Sequence, residues 1–145
     1  MRAYMVGDIW DFHVYQPGRL LNLPMIADQA NCSSFGTTVS RKMDSLSTTL
    51  IHEFMHWNLV GDMVPNSVGH IRDVSYGPHR CKTLAQDKAN NQKTFVNADS
   101  YKYMAINAYY NSVCNTKFGD PVFSLQEYFE SEIELRESPE YSAAG

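Results

Sequence analysis

The 145-residue chain reads as one α+β domain, mainly helical, with a small sheet near its N-terminus and a buried helix that carries two histidines and a glutamate. Three observations predict this. The first 30 residues mix aromatic and β-branched positions with the breakers Pro17, Gly18 and Pro24, the composition of two or three short strands and turns. Helical periodicity sets in near residue 40 and returns in three later segments. With 43% hydrophobic and 12% aromatic residues, the chain can fill one core without a second domain.

The first helix is expected over about residues 40–60. Ser40 suits its N-cap, Gly61 stands just past its last turn, and Pro65 follows. Leu46, Leu50, Phe54 and Trp57 make one apolar stripe, widened by Ile51, Met55 and Leu59, so the helix should be buried. Residues 62–78 contain Pro65, Gly69, Gly77 and Pro78 and read as a loop. A second helix is expected over about residues 79–88, and a third opens at Asn97 or Asp99 and runs through Val113. A fourth, amphipathic and acidic, covers residues 123–137, and residues 139–145 form a frayed tail. No repeat or low-complexity tract divides the chain, so residues 1–145 form a single domain.

Composition excludes several partners. A net charge of −4 without any run of Lys or Arg argues against nucleic acid. No segment reaches the roughly 18 apolar residues of a membrane span. Asp8 and Asp11 interrupt the place where a secretory leader needs an apolar run. The cysteines Cys32, Cys81 and Cys114 lack the spacing of a zinc ribbon or a redox pair. They read as one disulfide plus a free thiol, as three buried thiols, or as including a bond to an upstream segment.

Within the first helix, residues 49–57 read TLIHEFMHW. At 3.6 residues per turn, His52 and His56 lie about 40° apart around the cylinder and Glu53 about 60° beyond, so all three share a face. Two imidazoles one turn apart are a ligand pair for zinc, and a carboxylate beside them can take a proton from a water whose pKa the metal brings to about 7. A chance HExxH is roughly a one-in-several-hundred event for a chain of this length. The alternative is a set of buried polar side chains satisfied by core hydrogen bonds, which asks for several partners each.

The third ligand separates the subclasses. A metzincin would place Gly at 59 and His at 62, where this chain has Leu59 and Asp62. Asp62 is a second choice of third ligand. Asp73 is the first, in the loop GHIRDVSYGPHRC, where Tyr76 and Gly77 follow it. Its alternative is a cap or turn residue. His70 and His79 flank the same loop, as alternative ligands or as exposed loop histidines.

At these residues the sequence resembles the aspzincin metallopeptidases, the deuterolysin-like and lysine-specific endopeptidases. Their pattern is HExxH followed by Gly-Thr-x-x-Asp-x-x-Tyr-Gly. Gly69, Asp73, Tyr76 and Gly77 fit, and His70 replaces the threonine. The segment NADSYKYMA, residues 97–105, resembles the family's following helix, so the likeness covers roughly residues 45–112.

The resemblance implies a zincin-like fold with HExxH on the active-site helix, one Zn2+ per chain held by His52, His56 and Asp73, Glu53 as general base, and Tyr76 as hydrogen-bond donor to the substrate or its tetrahedral intermediate. It implies a zinc metalloendopeptidase, secreted and monomeric, acting on peptides or proteins, with an N-terminus shorter than is usual. Asp99 is expected to meet a Lys or Arg side chain of the substrate, or to cap its own helix, while Lys102 one turn later argues against strict lysine specificity. A disulfide, if formed, would pair Cys32 with Cys81, which flank segments that converge at the metal; Asn31-Cys32-Ser33 formally matches a glycosylation acceptor. The competing reading is a zinc-binding or zinc-scavenging protein without peptidase activity on the same scaffold.

Overall fold

A capping box starts the helix that carries the histidines. The Ser45 backbone N–H donates to Thr48 Oγ1 at 2.8 Å and the Thr48 N–H to Ser45 Oγ at 3.3 Å, satisfying two of the donors a helix start leaves over. Helix α1 then runs Leu46–Met55. The structure, a computed structural model, describes residues 4–5, 12–13, 31–61, 63 and 70–137. Asp62, Gly69, most of the first 30 residues and the tail beyond 137 lie outside the described residues. Within the first 30, strands β1 (Tyr4–Met5) and β2 (Phe12–His13) pair antiparallel, too short a ladder to count as the expected sheet. The described chain is otherwise mostly helical.

Two expectations about α1 are corrected. Its cap is Ser45, because a separate 3-10 turn, Arg41–Met43, occupies the ground between Ser40 and the helix. It also stops before residue 60: the His56 and Trp57 N–H groups bond to Glu53 and Phe54, three residues back, and a single turn α2, Asn58–Gly61, follows. The expected burial holds only in part: Leu46, Leu50, Ile51 and Trp57 are half-buried. Thr48, His52, Glu53 and Met55 are buried, whereas Phe54 is 42% exposed. The buried face mixes polar groups with Met55: His52 meets Asp99, Thr48 bonds back to Ser45, and Met55 packs against Ile71 and Ala98.

Helix α3 (Pro78–Gln86) begins behind Gly77, whose φ of 84° is left-handed. A Cβ there would stand 2.8 Å from Ser131 Oγ, so both conformation and space require glycine. Pro78 fits the first helical position, where no N–H is needed. Helix α4 (Ala98–Val113) buries Ala98, Asp99, Lys102, Tyr103, Ile106 and Tyr110, one stripe at helical spacing. It ends at Cys114, with Asn115 left-handed at φ 45° and the Thr116 N–H returning to the Asn111 carbonyl. Helix α5 (Leu125–Glu137) closes the described chain.

The main apolar core lies along α4 from Tyr103 onward: Tyr103, Ile106 and Tyr110 meet Phe35, Met43 and Phe118. Each such side chain contributes about 1.5–3 kcal/mol on full burial. Cys32 and Cys114 form a disulfide beside this core, and Cys81 is the free, buried thiol. The expected Cys32–Cys81 pairing is thereby corrected. Cys81 sits inside the core with its Sγ 3.4 Å from Asn97 Nδ2, and the residue brought to Cys32 is the one at the end of α4. A smaller cluster, Met55, Ile71 and Ala98, joins α1, the loop and the start of α4 beneath the histidines.

Helix α5 meets the body along a polar seam. Arg41 binds Glu134 through two nitrogens, at 2.9 and 2.6 Å, and Ser131 Oγ at 3.0 Å, while its backbone N–H donates to Glu127 Oε1. Leu125, Phe129 and Ile133 on another face of α5 remain exposed.

Candidate metal centre

The geometry of α1 sets both imidazoles on one side, and each has its Nδ1 claimed from behind. His52 Nδ1 lies 2.7 Å from Asp99 Oδ1, and His56 Nδ1 lies 3.0 Å from the Ile71 carbonyl oxygen. A carboxylate and a carbonyl only accept, so both Nδ1 atoms carry hydrogen and donate. In the neutral rings both Nε2 atoms are then left with lone pairs, 3.3 Å apart.

A third acceptor joins them. Residues 72–77 are drawn against the start of α4 by a parallel bridge in which the Arg72 N–H donates to the Val96 carbonyl at 2.7 Å and the Ala98 N–H to the Arg72 carbonyl at 3.0 Å. The next residue, Asp73, places Oδ1 at 3.1 Å from His52 Nε2 and 3.2 Å from His56 Nε2. Ligands about 2.0–2.1 Å from one tetrahedral centre stand about 3.3–3.4 Å from each other. The three spacings match that edge within a few tenths of an ångström, so these residues fit a zinc ion. Among the described residues, His52, His56 and Asp73 form the group with ligand atoms within 4.8 Å of one another.

Electrostatics points the same way. Burial disfavours the charged His52 ring, but Asp73 and Asp99 outweigh it and lift its pKa to about 10. Burial likewise opposes the His56 cation, and Asp73 raises its pKa. For Asp73, burial favours the neutral acid, yet both histidines pull its pKa well below the carboxylate range. The surroundings of these three atoms favour positive charge, which protons or a metal cation can supply.

Asp99 is placed otherwise than expected. It is 2% exposed and has no open face for a substrate side chain. Its Oδ1 accepts from His52 and its Oδ2 accepts from the Gly77 N–H at 2.7 Å. Lys102 Nζ stands 3.9 Å from Asp99 and 3.2 Å from Asp44, so the nearest lysine is the chain's own. Burial opposes the Asp99 carboxylate, and Lys102 and His52 outweigh it, holding its pKa low. Carboxylate behind a ligand histidine fixes the tautomer and raises ring basicity. Nor does Asp99 cap α4: Asn97 is the N-cap residue.

Glu53 is buried next to His52 on α1. Tyr76 is buried with its ring stacked on that of His52, centroids 5.6 Å apart and planes 24° apart. His70 is exposed, and His79 lies on α3 with its ring edge-on to Phe123; neither joins the three-residue group. Asp62 lies outside the described residues.

Sequence reasoning missed the bonds of Asn97 to the Val74 and Ser75 amides and those of Asp99 to His52 and Gly77. The available signal was the segment NADSY itself: an N-cap Asn and an Asp two residues later put two short polar side chains on the first turn of a helix, where they can reach another segment. A family model described as lysine-specific metallo-endopeptidase, that of the aspzincins, matches residues 29–106, more than half of the chain and all of the constellation above. Neither the curated proteins nor the solved structures gave a match.

Proposed function

The chain belongs to the aspzincin family, and from that premise we propose that it is a zinc-dependent endopeptidase, holding one Zn2+ through His52, His56 and Asp73. The observation that carries the proposal is the meeting of three lone-pair atoms, two imidazole Nε2 and one carboxylate Oδ1, at 3.1 to 3.3 Å with both Nδ1 hydrogens committed elsewhere. Zinc, when bound, supplies the Lewis acidity that polarises a scissile carbonyl and acidifies water.

The chain's own residues do the rest. Glu53, adjacent to His52, takes a proton from the attacking water and later delivers it to the leaving amine. Tyr76, whose ring lies against His52, donates its hydroxyl hydrogen to the developing oxyanion, an interaction stronger in the transition state than in the ground state. Asp99 keeps His52 in the Nδ1–H tautomer. Peptides or proteins are the substrates. The lysine preference in the family's description is not extended to this chain, because Asp99 is buried and shares Lys102 with Asp44.

The same reading makes residues 1–145 one catalytic domain of zincin-like fold, mainly helical with a small N-terminal sheet and HExxH on the active-site helix, acting as a monomer. Secretion is supported by the disulfide Cys32–Cys114, a bond that persists in oxidising compartments. Among the described residues no helix is long and apolar enough to cross a membrane.

The test is casein hydrolysis with zinc-loaded protein, with chelator, and with Glu53→Gln. Loss of cleavage by about 10²–10⁴-fold in the variant, with zinc still bound, is expected of a general base. Stoichiometric zinc without cleavage in the wild-type protein would move the assignment to the zinc-binding alternative, and no zinc uptake would end both.

A further inference from the structure

We propose that Asn97 is a positioning residue that prefolds residues 72–77, so that Asp73 stands opposite the two histidines before any ion arrives. The inference rests on the zinc reading only for the purpose the prefolded loop serves.

Asn97 is completely buried and occupies the N-cap position of α4, where an asparagine side chain ordinarily accepts an N–H from its own helix. It makes no such cap bond. Its Oδ1 instead accepts the N–H groups of Val74 and Ser75, at 3.1 and 2.9 Å, the two residues directly after Asp73. Its Nδ2 donates to Ser100 Oγ at 2.9 Å and faces Cys81 Sγ at 3.4 Å, which fixes the amide so that the oxygen points at the loop. The Asn97 backbone lies in the bridge to Arg72, and two residues on, Asp99 holds the Gly77 N–H. Both ends and the middle of the six-residue loop are therefore tied to residues 96–99, the entry to α4. A loop held this way has already surrendered the conformational freedom that metal binding would otherwise take from it.

Amide hydrogen exchange on chelator-treated wild-type protein tests this without any substitution. The Val74, Ser75 and Gly77 amides should stay as protected as in the zinc-loaded protein. If metal removal opens them to rapid exchange, the ion holds the loop and the proposal is wrong. This outcome is distinct from failure of the zinc reading, which shows as wild-type protein that takes up no zinc whatever its loop protection.

Two variants extend the test. Asn97→Ala should weaken zinc binding by about 10–100-fold, the range for outer partners of metal ligands, and should raise exchange at Val74 and Ser75. Ile106→Val, which loosens the core packing of α4 more than two turns away and touches none of the loop contacts, should keep wild-type zinc affinity. Equal loss in the two variants would make Asn97 a stabiliser of α4 alone and overturn its positioning role.

Discussion

Asp99→Asn separates an orienting carboxylate from a merely buried one. Two donors converge on Asp99, His52 Nδ1–H and Gly77 N–H, each at 2.7 Å. A carboxylate accepts both; an amide has a single acceptor oxygen. If the amide oxygen keeps Gly77, its NH2 meets His52, and the ring relieves the clash by moving its hydrogen to Nε2, the atom that faces Asp73. If the oxygen keeps His52, the Gly77 N–H loses its acceptor and the loop carrying Asp73 and Tyr76 loosens. Either way zinc affinity should fall by about 10–100-fold, equivalent to about 1.4–2.8 kcal/mol. Lys102 retains Asp44 at 3.2 Å, so the fold should survive with a loss of about 1–3 kcal/mol. Competition with a chromophoric chelator measures the first quantity and a denaturant melt of the metal-free protein the second. Unchanged zinc affinity in a folded variant would refute the orienting role.

Zinc affinity should also depend on pH. The metal-free His52 has its pKa raised from 6.5 to about 10, so this contribution to stability is fully present below about pH 6.5 and is lost as pH rises through about 10. Zinc must displace that proton, and affinity measured at pH 7 and pH 8 should rise by about tenfold; a flat profile would mean Nε2 is already bare. Reducing Cys32–Cys114, residues separated by 82 positions, should destabilise the fold by about 4–5 kcal/mol on the chain-entropy estimate, checked by melts with and without reductant. Cys81, whose thiol burial and then Asp99 push up to about 12, should resist alkylation in the native protein and react once it is unfolded. Cleavage of a mixed peptide library should show no enrichment for lysine beside the cut, and strong enrichment would require an acidic group other than Asp99 in the cleft.

Helices α3, α4 and α5 lie close to where periodicity and capping residues place them, because those signals are local. Helix α1 is less well read. Its apolar stripe at Leu46, Leu50, Phe54 and Trp57 identifies a helix but not the side that faces inward, since the inner side is chosen by partners of His52 and Met55 that lie up to 47 residues away. The same limit applies to the site. His52, Glu53 and His56 are legible because one turn of helix brings them together; the approach of Asp73 depends on the bridge from Arg72 to Asn97, which no local pattern encodes. The pairing of Cys32 with Cys114 was misread for that reason, three thiols offering several pairings until the end of α4 is located.

The link from Cys32 to Cys114 turns everything between them into a covalent ring, and that ring contains every residue assigned here to zinc, proton transfer or loop support. A peptidase is exposed to its own activity. Any single self-inflicted nick inside the ring leaves both fragments attached to one another, so damaged molecules would migrate intact on a non-reducing gel and separate only after the sulfur bridge is opened.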